Sequence, residues 1–286
     1  MSFRPVLLLG ILALGACQAS STSDLEFRRD KVFTYAAIVP AGTPVYLRNL
    51  RGEILVEPSP DDSLRVTADL LWRSRPAQPD DVRFKAEVLP TGVLICSLIG
   101  SSECSISSFS SGSTSGIGFR RSGDNIGLGG KLNAAVVFHV QVPSGVALDL
   151  LGVDTRITSA SSARVKARTV NGDITVVTSV GPVNAETVNG DVDARMTTLS
   201  GADSVIVKTL NGAAWAFLPE AVAASVSAST TNGHVESDFA EFDRTTGNQK
   251  RFRASLGGGG TPVLVRTLNG TAGIGRLDAQ GRSYPR

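Results

Sequence analysis

Two histidines, three cysteines and two methionines in 286 residues leave little with which to build a metal centre. Zinc needs three or four His, Cys or acidic ligands at fixed spacing, and His139 and His234 stand apart with no such motif around either. Charge is also sparse: 19% of residues are charged, and 28 Lys+Arg almost cancel 26 Asp+Glu to leave +2. That balance excludes a dedicated nucleic-acid binder, which carries a strongly basic face. The longest apolar stretch, Val6 to Leu14 around Gly10, falls short of the ~20 residues a membrane-crossing helix requires. Nucleophile and nucleotide motifs are missing as well. The run Gly112-Ser113-Thr114-Ser115-Gly116 has Thr where a nucleophile elbow needs Ser, and the glycine runs at 127–130 and 257–260 lack dinucleotide-site spacing. Aromatics make up only 6%, whereas apolar residues reach 42% and there are 30 glycines. Val, Ala, Ser, Thr and Gly in such excess point to regular β-structure with small side chains.

The N-terminus reads as an export signal. Arg4 supplies the positive charge, Val6 to Leu14 the apolar region, and Leu14-Gly15-Ala16-Cys17 resembles the bacterial lipobox. The resemblance implies cleavage after residue 16 and lipidation of Cys17; an ordinary signal peptide cut near Ala19 is the alternative. Gln18, where inner-membrane lipoproteins carry Asp, favours the outer membrane by the same analogy. Residues 17–34 are then a lipidated Cys and polar tether, and the partner implied first is a membrane. Of the other cysteines, Cys96 and Cys104 enclose seven residues. An exported protein is able to keep them as a disulfide, although spacing alone leaves two reduced thiols open.

Most of the remaining chain is a repeat. Asn-Gly pairs fall at Asn171-Gly172, Asn189-Gly190, Asn211-Gly212, Asn232-Gly233 and Asn269-Gly270. With Asn as position zero, −6 is Val165, Val183, Val205, Val226 and Val263, and −2 is Thr169, Thr187, Thr209, Thr230 and Thr267. Position −4 is Ala or Val throughout, and +3 is Ile174, Val192, Ala214, Val235 and Ala272. The residues between are mostly polar, so the template is period-2 alternation on both sides of a turn. A degenerate copy at Leu148 to Ile157 has Asp154 in the Asn place, and a weaker echo spans Asn49 to Val56.

Asn-Gly between alternating strands is also a hairpin signal, so an antiparallel meander or barrel competes with a solenoid. Small inward residues, and the recurrence of one residue type at one phase, favour stacked coils. The apolar −1 positions (Val170, Val188, Leu210, Leu268) suggest a bend that turns them inward. The expected fold is all-β: a right-handed single-stranded β-solenoid (β-helix) of roughly 17–22 residues per coil. It carries a long Ser/Gly-rich hairpin insertion at 97–133, clipped by the two cysteines. The runs Val165 to Ile174, Val183 to Val192 and Val265 to Gly270, with Val-Pro-Ser-Gly at 142–145, resemble the bacterial "putative adhesin" domain family of unknown function. That resemblance spans roughly residues 35–276 and implies an exported β-solenoid with no catalytic signature.

The insertion is either disordered or a contact loop offering Arg120 and Arg121 to an acidic polysaccharide or lipid phosphate. Residues 239–256 read as a solvated protrusion, and Gly273 to Arg286 as a polar cap over one end, with 277–286 a polar tail. Asp173 and Asp191, both at +2, would stand on adjacent coils ~4.8 Å apart, with Asp193 two residues on. Such a set offers acid/base chemistry on a polysaccharide, but turn-favouring Asp beside Asn-Gly is the simpler cause. The sequence therefore points to a non-catalytic, lipid-anchored envelope protein without metal or cofactor, whose surface meets a glycan or an envelope protein. A polysaccharide lyase or hydrolase using Asp173, Asp191 and Asp193, and a purely structural envelope component, are the alternatives.

Overall fold

A computed structural model describes residues 28–72, 82–99, 102–107, 109–111, 134–199, 203–242, 249–278 and 281–283. Among them there is no helix. In chain order the strands are β1 (Arg28–Ile38), β2 (Val45–Pro58), β3 (Ser63–Trp72), β4 (Val82–Leu89), β5 (Gly92–Ile99), β6 (Ser102–Cys104) and β7 (Phe109–Ser111). They continue as β8 (Ala134–Val142), β9 (Leu148–Ser161), β10 (Val165–Arg168), β11 (Ile174–Thr178), β12 (Val183–Glu186), β13 (Val192–Met196) and β14 (Val205–Lys208). The last are β15 (Ala214–Pro219), β16 (Ala224–Ser229), β17 (Val235–Ser237), β18 (Arg251–Leu256), β19 (Thr261–Arg266) and β20 (Ala272–Leu277).

Each repeat forms one coil, with a strand before the Asn-Gly turn and a strand after it. Stacked coils build two parallel ladders. The first runs β5, β2, β9, β10, β12, β14, β19, β16. The second runs β8, β2, β9, β11, β13, β15, β20, β17. β2 and β9 are long enough to serve both ladders. Most repeat strands alternate buried and half-exposed residues, as in β10 and β13, while β15 and β20 are buried on both faces; −6, −4, −2 and +3, +5 face a shared interior. Val, Ala and Thr hold most of these positions, with Ile157, Ile174 and Ile274 among the larger fully buried side chains.

Within the shared interior, phenylalanine is kept for the ends. At one end Phe33 stacks on Phe84 at 5.1 Å, and Phe84 meets Phe138 edge-on at 6.1 Å. At the other end Phe242 meets Phe252 edge-on at 5.2 Å, and Phe239 and Phe252 are buried in the core. Antiparallel strands finish both ladders: β4 on β5 and β18 on β16 in the first, and β3 then β1 on β8 in the second. Such strands cover the open backbone of a terminal coil, and charged side chains on them hinder pairing with a second molecule.

The order of the coils departs from the order of the chain. The coil of β19 and β20 lies between that of β14 and β15 and that of β16 and β17, so the final repeat is inserted rather than terminal. The reason is legible in side-chain volume. Trp215 and Phe217 lie flat on the outer face of β15, and the strand beside them offers Gly273 and Gly275. A Cβ at either glycine would meet the aromatic ring; no other repeat has glycine at both places. The expected polar cap from Gly273 onward is thus corrected, because 272–277 is an interior strand. It is the stretch 239–256, read from sequence as a solvated protrusion, that supplies β18 and the aromatic closure. To pass from β18 to β19 the chain crosses over the start of β16 through Gly257 to Gly260, all with positive φ. A Cβ at Gly257 or Gly260 would collide with the backbone carbonyl of Val222 or Ala223.

The insertion is corrected as well. β5 and β8, which flank it, do not form the two arms of a hairpin: β5 lies parallel to the first half of β2 and β8 parallel to the second. They are the two strands of one further coil, whose turn is replaced by the inserted segment. Within that segment β6 and β7 form a short antiparallel pair, and Cys96 and Cys104 are joined by a disulfide with Cα atoms 6.6 Å apart. Arg120 and Arg121 lie outside the described residues, as does Cys17. β1 begins at Arg28, inside the stretch read as tether.

Candidate functional site

The Asn-Gly turns align into one edge of the stack. Asn171 Nδ2 donates to Asp154 Oδ1 at 2.7 Å, Asn189 to Asn171 Oδ1 at 2.8 Å, and Asn211 to Asn189 Oδ1 at 2.8 Å. The inserted coil continues the series: Asn269 donates to Asn211 Oδ1 at 2.6 Å, and Asn232 to Asn269 Oδ1 at 2.8 Å. All five amides point the same way, and the column ends on a residue that only accepts. Asp154 is therefore the fitting terminus, since an ionised carboxylate takes a charge-assisted bond and has no donor left over.

Glycine and threonine serve the same turn. Gly172, Gly190, Gly212, Gly233 and Gly270 have φ between 136° and 153°, and their missing Cβ lets neighbouring coils touch backbone to backbone. Thr at −2 then donates inward to the adjacent coil: Thr187 to the Gly172 carbonyl at 3.1 Å, Thr209 to Gly190 at 2.9 Å, Thr267 to Gly212 at 2.9 Å and Thr230 to Gly270 at 3.0 Å. This use of the Thr hydroxyl was missed in the sequence, where Thr counted only as a small inward residue. Its invariance across all five repeats, where Ala or Val would fit equally well by size, was the available signal.

Asp173 and Asp191 do stand on adjacent coils, both exposed. Asp173 Oδ1 accepts the Asp191 backbone N–H at 3.0 Å, and Asp191 Oδ1 accepts that of Ala213 at 2.7 Å. Each carboxylate is thus directed along the stack axis, and Asp193 lies 3.7 Å from Arg195. His234 contacts Glu236 at 2.6 Å and His139 lies 3.6 Å from Asp69. Among the described residues no three His, Cys, Asp or Glu side chains gather as a metal site would require.

The −1 row differs from the expected inward bend. Leu210 and Leu268 are 47% and 42% exposed, and Val170 and Val188 are half-buried. These four residues occupy consecutive coils, so they form an apolar ridge beside the amide column. Thr at −2 points inward to bond the adjacent coil, and alternation along the extended chain then leaves −1 outside. In the first coil the −3 place, which Leu151 and Arg168 take in the next two coils, holds Arg48, whose side chain is fully buried. Its guanidinium donates to the carbonyls of Asp149 at 2.6 Å and Leu47 at 3.1 Å, and also to that of Ile106 in the insertion. The Asp149 carboxylate lies 3.1 Å away. Burial pulls the Arg48 pKa down, with Asp149 opposing that shift. Beside it Asn49, also buried, donates to the Val136 carbonyl at 2.9 Å and accepts from Ser97 at 2.8 Å.

The amide column makes a direct prediction. Asn189→Asp removes the donor to Asn171 while keeping shape, so it should lower stability by about 1–2 kcal/mol. A denaturant midpoint unchanged from the parent would show that the column contributes nothing at this exposed edge.

Residues 140–274 match the family model described as Toastrack DUF4097. Among solved structures, one titled a "putative cell adhesion protein" from Clostridium sporogenes is similar to this chain at 12% identity and a TM-score of 0.43. That match covers 86% of this chain and 100% of the other. A search of the curated proteins finds no match.

Proposed function

From the match of residues 140–274 to the Toastrack family model we propose that the chain is a non-catalytic protein of the bacterial envelope. It is lipid-anchored at Cys17, probes its surroundings with the turn edge of its solenoid, and faces the periplasm or the cell exterior from the outer membrane. The coils wind right-handedly in this reading. What supports it is the use made of the repeated polar groups. The Asn amides, the Thr hydroxyls and the Asp carboxylates at +2 all bond to the next coil. The repeat is thus a scaffold, and the ridge of Val170, Val188, Leu210 and Leu268 is what it leaves facing outward. An exposed apolar row on a rigid, flat edge suits contact with a glycan ring or a partner protein. The lipobox-like Leu14-Gly15-Ala16-Cys17 is what supports attachment through Cys17.

Fractionation of washed cell envelopes tests both parts. Cys17→Ser should release the protein from the lipid phase, and Leu210→Ser with Leu268→Ser should lower what a soluble form retains on envelope material by about tenfold. Unchanged retention in the leucine variant would remove the ridge as the contact surface, and a Cys17→Ser protein still held in membranes would remove the anchor. Depolymerised glycan after incubation would replace a binding role by an enzymatic one.

A further inference from the structure

The outer face of the first ladder carries three arginines with no acidic partner among the described residues. Arg251 and Arg253 share one face of β18, and β16 sets Ser229 beside Arg251 and Ser227 beside Arg253. On its other side Ser229 pairs in register with Arg266 of β19, and Arg266 with Lys208 of β14. One row across four strands therefore reads Arg251, Ser229, Arg266, Lys208. Lys208 lies 3.4 Å from Glu186. Arg251, Arg253 and Arg266 are exposed and have no ion pair or side-chain hydrogen bond among the described residues.

This is not the habit of the rest of the surface, where Arg65 pairs with Asp61, Arg164 with Asp203, Arg276 with Glu220 and Arg282 with Asp278. Like charges side by side in a sheet row are destabilising. The three guanidinium groups rim a cleft of about 280 Å³, into which Ser227, Ser229 and Thr231 also face. Arg251 and Arg266 are two strand spacings apart, about 10 Å at the backbone, and Arg251 and Arg253 about 7 Å along one strand. Side chains of that length converge on one group at such separations.

We propose that this cleft binds a phosphate group, held between Arg251 and Arg266 with Arg253 and the Ser229 hydroxyl completing the cradle. A carboxylate has two oxygens and one charge, which a single guanidinium fork satisfies. A phosphate offers more oxygens and up to two charges, and so engages several forks at once. The inference rests on the arginines alone and stands whether or not the apolar ridge meets a partner.

Binding is measured on the full chain with inorganic pyrophosphate, with glucuronate, and with phosphatidylglycerol vesicles against phosphatidylcholine vesicles. The expected result is saturable binding to pyrophosphate or selectively to phosphatidylglycerol, weakening with salt. Arg251→Gln with Arg266→Gln should weaken it at least about tenfold. Arg164→Gln and the Leu210→Ser, Leu268→Ser chain should bind like the parent, which separates failure here from failure of the ridge. Binding of pyrophosphate identifies phosphate itself as sufficient; selective binding of phosphatidylglycerol alone identifies a lipid headgroup as its source. Without phosphate, the double arginine variant should melt at or above the parent temperature, since it loses only repulsion, so lost binding would not reflect unfolding. Equal affinity in that variant, equal affinity for glucuronate, or no saturable phosphate binding would overturn the proposal.

Discussion

Gly212→Ala should destabilise the protein by about 3–5 kcal/mol, a large share of the roughly 5–15 kcal/mol that holds an ordinary domain folded. Two effects combine. Gly212 sits at φ +144°, where a Cβ is already strained, and that Cβ would lie 2.2 Å from the Gly190 carbonyl oxygen. The obstacle is backbone, so it moves only if the coils part. Parting them lengthens the Thr209 bond to the same carbonyl, now 2.9 Å, and the Gly190 N–H bond to the Asn211 carbonyl, now 3.0 Å. Gly258→Ala is the control. It also has positive φ, but no atom lies within 4 Å of its Cβ, so it should cost only about 1–2 kcal/mol. Thermal or denaturant unfolding of the two variants separates crowding from conformation. Similar losses in both would mean that the close approach of coils is not what demands glycine.

Arg48→Met should cost about 3–5 kcal/mol, the loss found when one partner of a buried pair is removed. The methionine fills most of the volume but removes the guanidinium donor from the carbonyls of Leu47, Asp149 and Ile106. Asp149 would keep only Lys166, 3.6 Å away. Arg48→Lys should recover less than half, because one ammonium cannot reach the carbonyl of residue 106 while holding Asp149. The useful second readout is amide exchange at residues 102–107, which should quicken in the variant if Arg48 holds the insertion against the stack. Exchange unchanged there, with stability lowered, would assign Arg48 to the first coil alone.

The parts of this fold that were legible in the sequence are those repeated in register. Val at −6, Asn-Gly at the turn and alternation on either side are local patterns, and local patterns decide which side chains face inward. The coil order was not legible, because residues 224–237 and 261–277 carry almost the same template and either fits beside 205–219. Only the complementarity of Trp215 and Phe217 with Gly273 and Gly275 separates them, and it spans about sixty positions. The insertion failed for a related reason: β5 and β8 read as two strands flanking one loop, as hairpin arms do, while their true neighbour, β2, lies far upstream. In the candidate site, Asp173 and Asp191 were placed on neighbouring coils correctly, but their direction along the stack depends on backbone N–H groups that no residue pattern displays. Arg48 gave no sign of burial, since what covers it comes from a segment with no repeat at all.

The inserted coil has a bearing on how the chain reaches this state. A stack whose order followed the chain would grow like a zipper, each coil templating on the one just finished as it left the ribosome or a translocation pore. Here residues 224–237 have no permanent neighbour when they emerge, because β19 and β20 do not yet exist. The earlier coils likewise present an unfinished face at β14 and β15. Both surfaces stay open until the last segment, drawn across by the four glycines, wedges between them. Closure is therefore a late, long-range event, and the exposed ladder edges in that interval are where a chaperone, or a second copy of the chain, would find a place to bind.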